Sequence, residues 1–393
     1  MDTLDKKRIT HEQNIVSIAK RVIEKFPSIN LNFPEESSEI HISRKTLIDS
    51  IKKKMLDYLQ RYVESPDYLT SIRWFYTQKL LDFHPQDPLI PFNTDDNESL
   101  YFELEKIRVP PKEIRELSDI IHRMIQKFNK NFITPAKLNV SNYEGEYIFS
   151  MGGSIFSITE DCYLKLQRLY YRVIKDTKKI EESEDVLLDE RIFKLLCRYE
   201  ALSAPGYHAA IPENLFKLLT TSLKVQHELF ASPFNCNLDL MSYTSAYPDT
   251  DKFFGSQGNF FNVYPQLFSK GGSFEANPPF IEEHMTMLSL IIEDYLAKNF
   301  PFSFVVVYPT WEDAISYQML LNSQYNVLSS KVLVFDRHEH SYTQSSQYWS
   351  KSYERVSNSC SSIFILQNNL GKIKYPVEDK ILQEIIERFK CSS

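Results

Sequence analysis

Short apolar runs alternate with helix-forming segments in the second half of this 393-residue chain. The runs HELFAS, FSFVVVY, KVLVF and SIFIL have the length and continuous apolar character of strands that are buried on both faces of a sheet. Between and after them, IEEHMTMLSLIIEDYLA and EDKILQEIIERF have the apolar spacing of helices. Strands that alternate with helices predict an α/β fold with a mostly parallel, doubly wound sheet.

The first half of the chain has a different pattern, dominated by helical periodicity. Its first glycine is Gly145, so no earlier position calls for a left-handed backbone. Between Ile114 and Phe128 the apolar residues recur on one face of a helix. The pattern changes at the sequence SAPG, and we therefore predict a helical domain over residues 1–204 and an α/β domain over residues 205–393.

Several classes of protein do not fit the composition. No apolar run reaches the roughly 18 residues needed to span a bilayer, and the opening sequence MDTLDKKRITHEQN lacks the apolar core of a signal peptide. We therefore expect an intracellular, soluble protein. The five cysteines are scattered and none forms a CxxC pair, so the sequence predicts neither a disulfide framework nor a zinc knuckle.

The charge of the chain is unevenly distributed. The formal net charge of −7 argues against a protein that coats nucleic acid without specificity, although it leaves room for a local basic groove. Residues 1–204 carry 31 basic and 33 acidic side chains, whereas residues 205–393 carry 14 and 19. The helical half is therefore the better candidate for holding a polyanion.

The stretch GGSFEANPPF places a stiff turn directly after an apolar run. Asn277, Pro278, Pro279 and Phe280 follow the predicted strand SFEA, so they lie beyond the carboxyl end of a strand, where ligands bind in open α/β sheets. The Asn277 side-chain carbonyl and the Pro278 main-chain carbonyl could accept both N–H groups of an exocyclic purine amine and aim its lone pair outward. Pro279 would keep the turn rigid, and Phe280 could stack on the base.

Methylation of such an amine needs a methyl donor, and a sulfonium cofactor carries that chemistry itself. No strong general base is required, because the alkylated ammonium is acidic enough to lose its proton to water. A simpler interpretation is that Asn-Pro-Pro forms an ordinary turn at the start of a helix and that Phe280 is a core residue.

A cofactor site is expected at the end of an earlier strand. Asp249 and Asp251 follow the predicted strand HELFAS by about 20 residues, which is the spacing at which an acid meets a ribose in Rossmann-like sheets. The segment PDTD can equally be a turn that caps a helix. The sequence contains no GxGxxG, so it does not support a dinucleotide-binding enzyme. The other candidate contacts, in the segment FASPFN, are Phe230, Ala231, Ser232, Pro233 and Asn235.

Several segments of the second half occur in the order found in one known family. They are RYEALSAPGY, FASPFNC, SAYPDTDKFFGSQGNFF, GGSFEANPPF, EHSYTQSSQ and FILQN, and they cover roughly residues 190–376. This region resembles the phosphorylated-CTD-interacting-factor family, the cap-specific adenosine N6-methyltransferases. The resemblance implies a helical region packed on a Rossmann-like, S-adenosylmethionine-dependent methyltransferase domain. It assigns the catalytic motif to Asn277, Pro278, Pro279 and Phe280.

The resemblance also implies a substrate. Family members use S-adenosylmethionine to methylate N6 of the 2′-O-methyladenosine next to the 7-methylguanosine cap of mRNA, which implies a nuclear protein with capped mRNA as its partner and neither DNA nor a membrane. An adenine N6-methyltransferase that acts on DNA or internal RNA is an alternative, because the same four-residue turn serves those enzymes. A catalytically silent cap- or RNA-binding protein is a second alternative, but the intact NPPF turn argues against it.

Three further features bear on these expectations. His338 and His340 lie two positions apart without an evident third ligand, so we predict no metal site and favour a loop on the substrate side. The segment SIRWFYTQKLL (71–81) could hold a cap guanine by stacking and charge, although an amphipathic core helix explains it better. Animal members carry a WW domain with two tryptophans at a fixed spacing. That spacing does not occur here, so we expect no WW domain and no binding to the phosphorylated polymerase tail.

Overall fold

The computed structural model describes residues 3–64, 66, 68–92, 97–128, 135–175, 184–203, 209–240, 242–344 and 353–391. The predicted boundary between residues 204 and 205 lies outside these ranges. Within them the chain is mixed α/β, with a helical first half and a sheet in the second half, as the sequence predicts. None of the described helices is long and apolar enough to cross a membrane.

The helices form where apolar residues recur every three or four positions. The predicted helix after Pro110 begins at Pro111, whose fixed backbone suits the first helical position. The described helices are α1 (Thr3–Lys25), α2 (Ser38–Leu59), α3 (Leu69–Leu81), α4 (Glu98–Glu105), α5 (Pro111–Gln126), α6 (Glu160–Lys175), α7 (Glu184–Ala201), α8 (Glu213–Ser222), α9 (Pro248–Asp251), α10 (Phe260–Leu267), α11 (Glu282–Leu296), α12 (Ile315–Leu321), α13 (Asn369–Lys374) and α14 (Asp379–Phe389), with 3-10 helices at Phe26–Ser28 and Lys252–Phe254.

The strands fall into one large sheet and two small ones. The described strands are β1 (Asn139–Tyr143), β2 (Glu146–Met151), β3 (Ser154–Thr159), β4 (Ala209–Ala210), β5 (His227–Ala231), β6 (Ser242–Ser245), β7 (Gly272–Ala276), β8 (Phe302–Pro309), β9 (Leu333–Phe335), β10 (Ser341–Gln344), β11 (Tyr353–Val356) and β12 (Ser361–Gln367).

The large sheet has the strand order β6-β5-β7-β8-β12-β9. β6, β5, β7 and β8 run parallel to one another, while β12 lies antiparallel between β8 and β9. The sheet is therefore mixed, with five strands pointing one way. Successive residues of β8 enter different cores: Phe304 and Val306 pack on one face of the sheet, and Val305 and Val307 on the other. Burial on both faces explains the continuous apolar run in the sequence.

The direction of strand addition reverses between β5 and β7. The chain passes from β5 to its neighbour β6, then returns to β7 on the other side of β5 and continues to β8. Such a reversal leaves a crevice beyond the carboxyl ends of the strands, where ligands bind in open α/β sheets.

Two small sheets lie outside the large one. β1, β2 and β3 form an antiparallel meander, where the sequence predicts a turn or hairpin between Asn142 and Gly153. β10 pairs with both β4 and β11. Neither this sheet nor β6 is predictable from the sequence, because each of these strands has at most four residues and no apolar run.

The helical first half packs directly on the large sheet. Ala19, Val22 and Phe26 share a hydrophobic core with residues of β7, β8, α10 and α11. The Nδ2 atom of Asn262 in α10 donates to the main-chain oxygens of Phe26 (2.7 Å) and Ile29 (3.0 Å). Both halves of the chain therefore contribute to one core.

Candidate functional site

A cavity of about 110 Å³ lies in the crevice at the ends of β5, β6 and β7. Its walls come from the segments that follow these strands, from α3, and from the segment that follows α1. Most of the lining is apolar or aromatic, with a few polar groups, which is typical of a small-molecule site. The polar side chains in the wall include Lys79, Asn235, Asp249, Asn259, Asn277 and His284.

The NPPF turn lies between β7 and α11, as the sequence predicts. Asn277 and Pro279 line the cavity, whereas Pro278 and Phe280 are absent from its lining. The turn closes through a hydrogen bond from the Ile281 amide to the Pro279 oxygen (2.7 Å). A loop with two prolines and this bond has few alternative conformations, so it holds Asn277 in a fixed position.

A backbone group of the small sheet orients the Asn277 amide. Its Nδ2 atom donates to the main-chain oxygen of Ala209 in β4 at 2.9 Å. β4 is held in turn by β10, where Thr343 pairs with Ala210. Because the amide nitrogen is directed at Ala209, the carbonyl oxygen on the other branch of the amide is the group available to accept a ligand hydrogen bond.

Phe280 lies against an exposed tryptophan. Its ring centre is 6.5 Å from that of Trp311, with an interplanar angle of 70°. Trp311 follows the end of β8 and is 44% exposed, while Phe280 is half-buried. The two rings form an aromatic corner beside the NPPF turn. No local sequence pattern distinguishes Trp311 from an ordinary surface residue, so its position beside Phe280 is not predictable from the sequence.

The residues predicted to contact a cofactor divide into two groups. Phe230, Ala231, Asn235 and Asp249 line the cavity. The remaining three, Ser232, Pro233 and Asp251, do not appear in its lining. Ser232 instead stabilises the turn after β5, since its amide and its Oγ both donate to Asn235 Oδ1, at 2.6 and 2.7 Å.

The two aspartates of PDTD have different surroundings. Arg198 of α7 donates two hydrogen bonds to Asp249, one to each carboxylate oxygen, both at 2.7 Å. Asp251 is completely buried and accepts from the Tyr199 hydroxyl at 2.7 Å and the Thr250 hydroxyl at 2.9 Å. Burial raises the pKa of Asp251 to about 6, although these hydrogen bonds act in the opposite direction. The geometry therefore favours Asp249 as a ligand contact and Asp251 as a structural carboxyl group.

Helix α3 supplies the opposite wall of the cavity. The Tyr76 hydroxyl is 3.2 Å from the Tyr247 hydroxyl, and burial raises the pKa of Tyr76 to about 12. Lys79 donates to the main-chain oxygen of Asp87, and burial lowers the pKa of the lysine. Both residues belong to the segment SIRWFYTQKLL, so part of that segment reaches the cavity.

The other two prominent residues of this segment have structural roles. Trp74 is fully buried, and its indole nitrogen is 3.4 Å from Asn97 Oδ1. Arg73 forms an ion pair with Glu103 at 3.1 Å. The predicted amphipathic core helix is therefore present, and its inner face carries both core residues and cavity residues.

Two carboxyl groups lie opposite each other in the sheet beneath the NPPF turn. Glu228 of β5 is in register with Glu275 of β7, and both are buried. Burial raises the pKa of both groups, and the repulsion between them raises that of Glu275 further. The raised pKa values favour the uncharged form of both carboxyl groups.

The histidines of FDRHEHSY do not form part of a metal cluster. No group of three or more His, Cys, Asp or Glu side chains in the described ranges is placed to hold a metal ion. His340 is fully buried, with Nδ1 3.0 Å from the Asp336 main-chain oxygen and Nε2 2.8 Å from Ser361 Oγ. His340 therefore links β12 to the turn that precedes β10.

Comparison with known proteins identifies relatives of this chain. Residues 165–345 match the family model described as "Phosphorylated CTD interacting factor 1 WW domain". The chain is 31% identical over 251 residues to an mRNA (2′-O-methyladenosine-N(6)-)-methyltransferase of Mus musculus, and 30% identical to that of Homo sapiens. Each match covers 61% of this chain and 34% of the relative. The chain thus spans about a third of the length of the curated relatives that it matches.

The description of the matching family model corrects one expectation. It names a WW domain, which contradicts in part the prediction, based on tryptophan spacing, that the chain lacks such a module. The expectation that the chain does not bind the phosphorylated polymerase tail depends on the same spacing, so it no longer holds. The matched residues include the NPPF turn, Trp311 and the part of the cavity lining from Tyr199 to His284, but not the lining residues between Phe26 and Leu89. The resemblance predicted from the sequence is confirmed over this region, in which residues 165–345 are similar to the phosphorylated-CTD-interacting-factor family.

Proposed function

We propose that this protein transfers a methyl group from S-adenosylmethionine to N6 of the 2′-O-methyladenosine next to the cap of mRNA, and that it acts in the nucleus. The observation that carries the proposal is the position of the NPPF turn, beyond the carboxyl end of β7 beside the strand reversal, with the Asn277 amide oriented by Ala209. The names of the mouse and human relatives support the same activity.

The turn accounts for the selection of an exocyclic amine. The nitrogen of adenine N6 is a poor nucleophile, because its lone pair is delocalised into the ring. The Asn277 side-chain oxygen and the Pro278 main-chain oxygen would accept its two N–H groups and turn the lone pair toward the methyl group. Since both acceptors belong to a rigid turn, they are positioned before the substrate arrives, and such preorganisation contributes most to a reaction of this kind.

The cavity has the chemistry expected of an S-adenosylmethionine site. Aromatic rings of Tyr76, Phe230 and Phe261 line it, and aromatic faces attract cations such as a sulfonium. Asp249 offers carboxylate oxygens that can accept from ribose hydroxyls in addition to Arg198. Lys79 is a cation near the same wall that could face a carboxylate.

The methyl transfer to adenine N6 requires no strong general base. When bound, S-adenosylmethionine would supply an electrophilic methyl group on sulfur. The methyl carbon would pass from sulfur, which would keep the electron pair of the broken bond, to the adenine nitrogen held by the Asn277 and Pro278 oxygens. The N6 proton then passes to water or to a weak acceptor, because the methylated ammonium is strongly acidic. The protein's role is to grip and orient the amine.

We expect the reaction to depend on the cap. The second half of the chain is acidic, whereas the helical half is closer to charge balance and forms one wall of the cavity, so a surface between them is the best candidate for the cap and its phosphates. An adenosine at the end of RNA also reaches the turn without extraction from a duplex. Removing the cap should therefore lower kcat/KM more than changing bases several positions downstream.

Labelled methyl transfer tests this expectation. The substrates are matched RNAs that begin with 2′-O-methyladenosine, with and without the 7-methylguanosine cap, and a DNA with internal adenines. Capped RNA should be the best substrate of the three. Equal rates on uncapped RNA or on DNA would replace the proposal by an adenine N6-methyltransferase of broader specificity. Cofactor binding without transfer to any of them would indicate a catalytically silent protein.

The proposed stacking of the adenine on Phe280 gives a separate prediction. Phe280→Ala should lower kcat/KM by about 5- to 150-fold, since a stacked base contributes about 1–3 kcal/mol. Phe280→Tyr and Phe280→Trp retain a π face and should lose less. Phe300→Ala is a matched control, because Phe300 is 46% exposed and precedes the opposite end of β8. Equal losses in all three Phe280 variants would mean that the residue only packs.

A further inference from the structure

His284 is a polar residue of the cavity wall to which the proposed chemistry gives no role. It lies in the first turn of α11, directly after the NPPF loop, and is 5% exposed. Its ring centre is 5.6 Å from that of Phe261 and 6.1 Å from that of Tyr76, and both neighbours present an edge-to-face arrangement. All three residues line the cavity.

One nitrogen of this buried ring lacks a partner. Nδ1 of His284 makes no hydrogen bond to any of the described residues. Leaving a buried polar atom unsatisfied costs free energy, so such atoms are uncommon in folded proteins. Because His284 also lines the cavity, its unsatisfied ring is a candidate contact for a ligand there.

The charge state of the ring suits a cationic ligand. Burial lowers the pKa of His284 to about 3, so the imidazole is neutral throughout the physiological range. A neutral imidazole has one acceptor nitrogen and one donor nitrogen. Unlike an imidazolium, it can lie near a sulfonium or an ammonium group without repelling it.

His284 lines the same cavity as two residues of the NPPF turn. Asn277 and Pro279 border the cavity together with His284, Ala231 and Asp249. Phe280 is not part of the cavity lining and contacts Trp311 instead. The aromatic corner therefore suits the substrate base, and the cavity suits the cofactor.

We propose that His284 is a cofactor-contacting residue, whose neutral ring accepts a hydrogen bond from an N–H or O–H group of S-adenosylmethionine. This inference rests on the proposed function, because it assigns the cavity to that cofactor. His284 lies outside the sequence motifs that are predicted to contact the cofactor.

Histidine ring resonances of the full chain, recorded by NMR during titration with S-adenosylmethionine, test the contact without a variant. His227 is the internal control: it is 2% exposed, its Nδ1 is bonded to Ser242 Oγ and its Nε2 has no partner among the described residues, but it lies at the start of β5 and does not line the cavity. The His284 signals should shift on titration and the His227 signals should stay unchanged. His284→Gln and His227→Gln assign the two sets of signals.

Calorimetry measures the contribution to affinity. His284→Phe, which preserves ring size without an acceptor, should raise the Kd for S-adenosylmethionine by ~2- to 12-fold, the range for one net hydrogen bond. His284→Gln retains an acceptor and should lose less. Unshifted His284 signals in a wild-type protein that binds the cofactor, or wild-type affinity of the Phe variant, would overturn the His284 assignment alone. Failure of the wild-type protein to bind S-adenosylmethionine would overturn the proposed function and this inference together.

Discussion

Replacement of Asn277 by alanine is expected to reduce methyl transfer on the order of a hundredfold, because catalysis by the turn depends on positioning. The variant removes the side-chain oxygen that would accept an N6 hydrogen and the amide nitrogen that donates to Ala209. Affinity for S-adenosylmethionine should change little, since most of the cavity wall remains. Single-turnover rates with saturating cofactor measure the loss. A variant that keeps more than about a tenth of the wild-type rate, a barrier change under ~1.4 kcal/mol, would contradict the assigned role.

Asn326→Ala is a matched control for this experiment. Asn326 is buried, whereas Asn277 is partly buried, and like Asn277 it donates from Nδ2 to main-chain oxygens, here those of Leu321 and Lys331, both at 3.1 Å. It does not line the cavity. We expect Asn326→Ala to lower the free energy of unfolding while the folded protein keeps its methyl-transfer rate, which would separate the chemical role of Asn277 from loss of an amide bond.

The second large effect is expected at Arg198. Its side chain is fully buried and forms two hydrogen bonds with Asp249, which is itself largely buried. Arg198→Ala leaves an unpaired carboxylate in a low-dielectric environment and should lower the free energy of unfolding by about 3–5 kcal/mol. Urea denaturation followed by circular dichroism gives this value. Affinity for S-adenosylmethionine should fall as well, because Arg198 holds Asp249 at the cavity wall.

A double variant separates the two effects of Arg198. Removing both partners, in Arg198→Ala with Asp249→Ala, avoids the unpaired charge and should be less destabilising than Arg198→Ala alone, while cofactor affinity stays low. Lys298→Ala is the surface control, since Lys298 pairs with Asp294 in an exposed (i, i+4) arrangement that contributes about 0.3–0.5 kcal/mol. If Arg198→Ala were no more destabilising than this control, the buried pair would not hold α9 in place.

The fold class follows from sequence periodicity, but the boundaries of the helical and sheet regions do not. Long amphipathic helices and strands buried on both faces have strong local patterns, so α5, β8 and β12 are predictable from the sequence. β4 has two residues, and its existence depends on pairing with β10, which lies more than a hundred residues away. No local pattern encodes such a pairing. The small sheet that orients Asn277 therefore appears only in three dimensions.

The site residues that lie within one continuous segment are predictable from the sequence. The NPPF turn and FASPFN are contiguous, and the structure brings Asn277, Phe230 and Ala231 to one cavity. His284 was not predictable as a site residue, because a lone histidine on a helix that is largely apolar has no distinguishing pattern. Lys79 belongs to a segment that the sequence explains most simply as a core helix, so its place in the cavity wall is not predictable either.

The packing of α1 on α11 affects how the chain folds during translation. Ala19, Val22 and Phe26 emerge from the ribosome early, yet the residues that bury them, such as Met285 and Leu288, are made more than 250 positions later. During translation these apolar side chains therefore have no native partner, and such exposed surfaces are sites of aggregation and chaperone binding in nascent chains. Helix α1 can reach its native position only after α11 has been synthesised, so the two halves of this enzyme candidate complete their folding together.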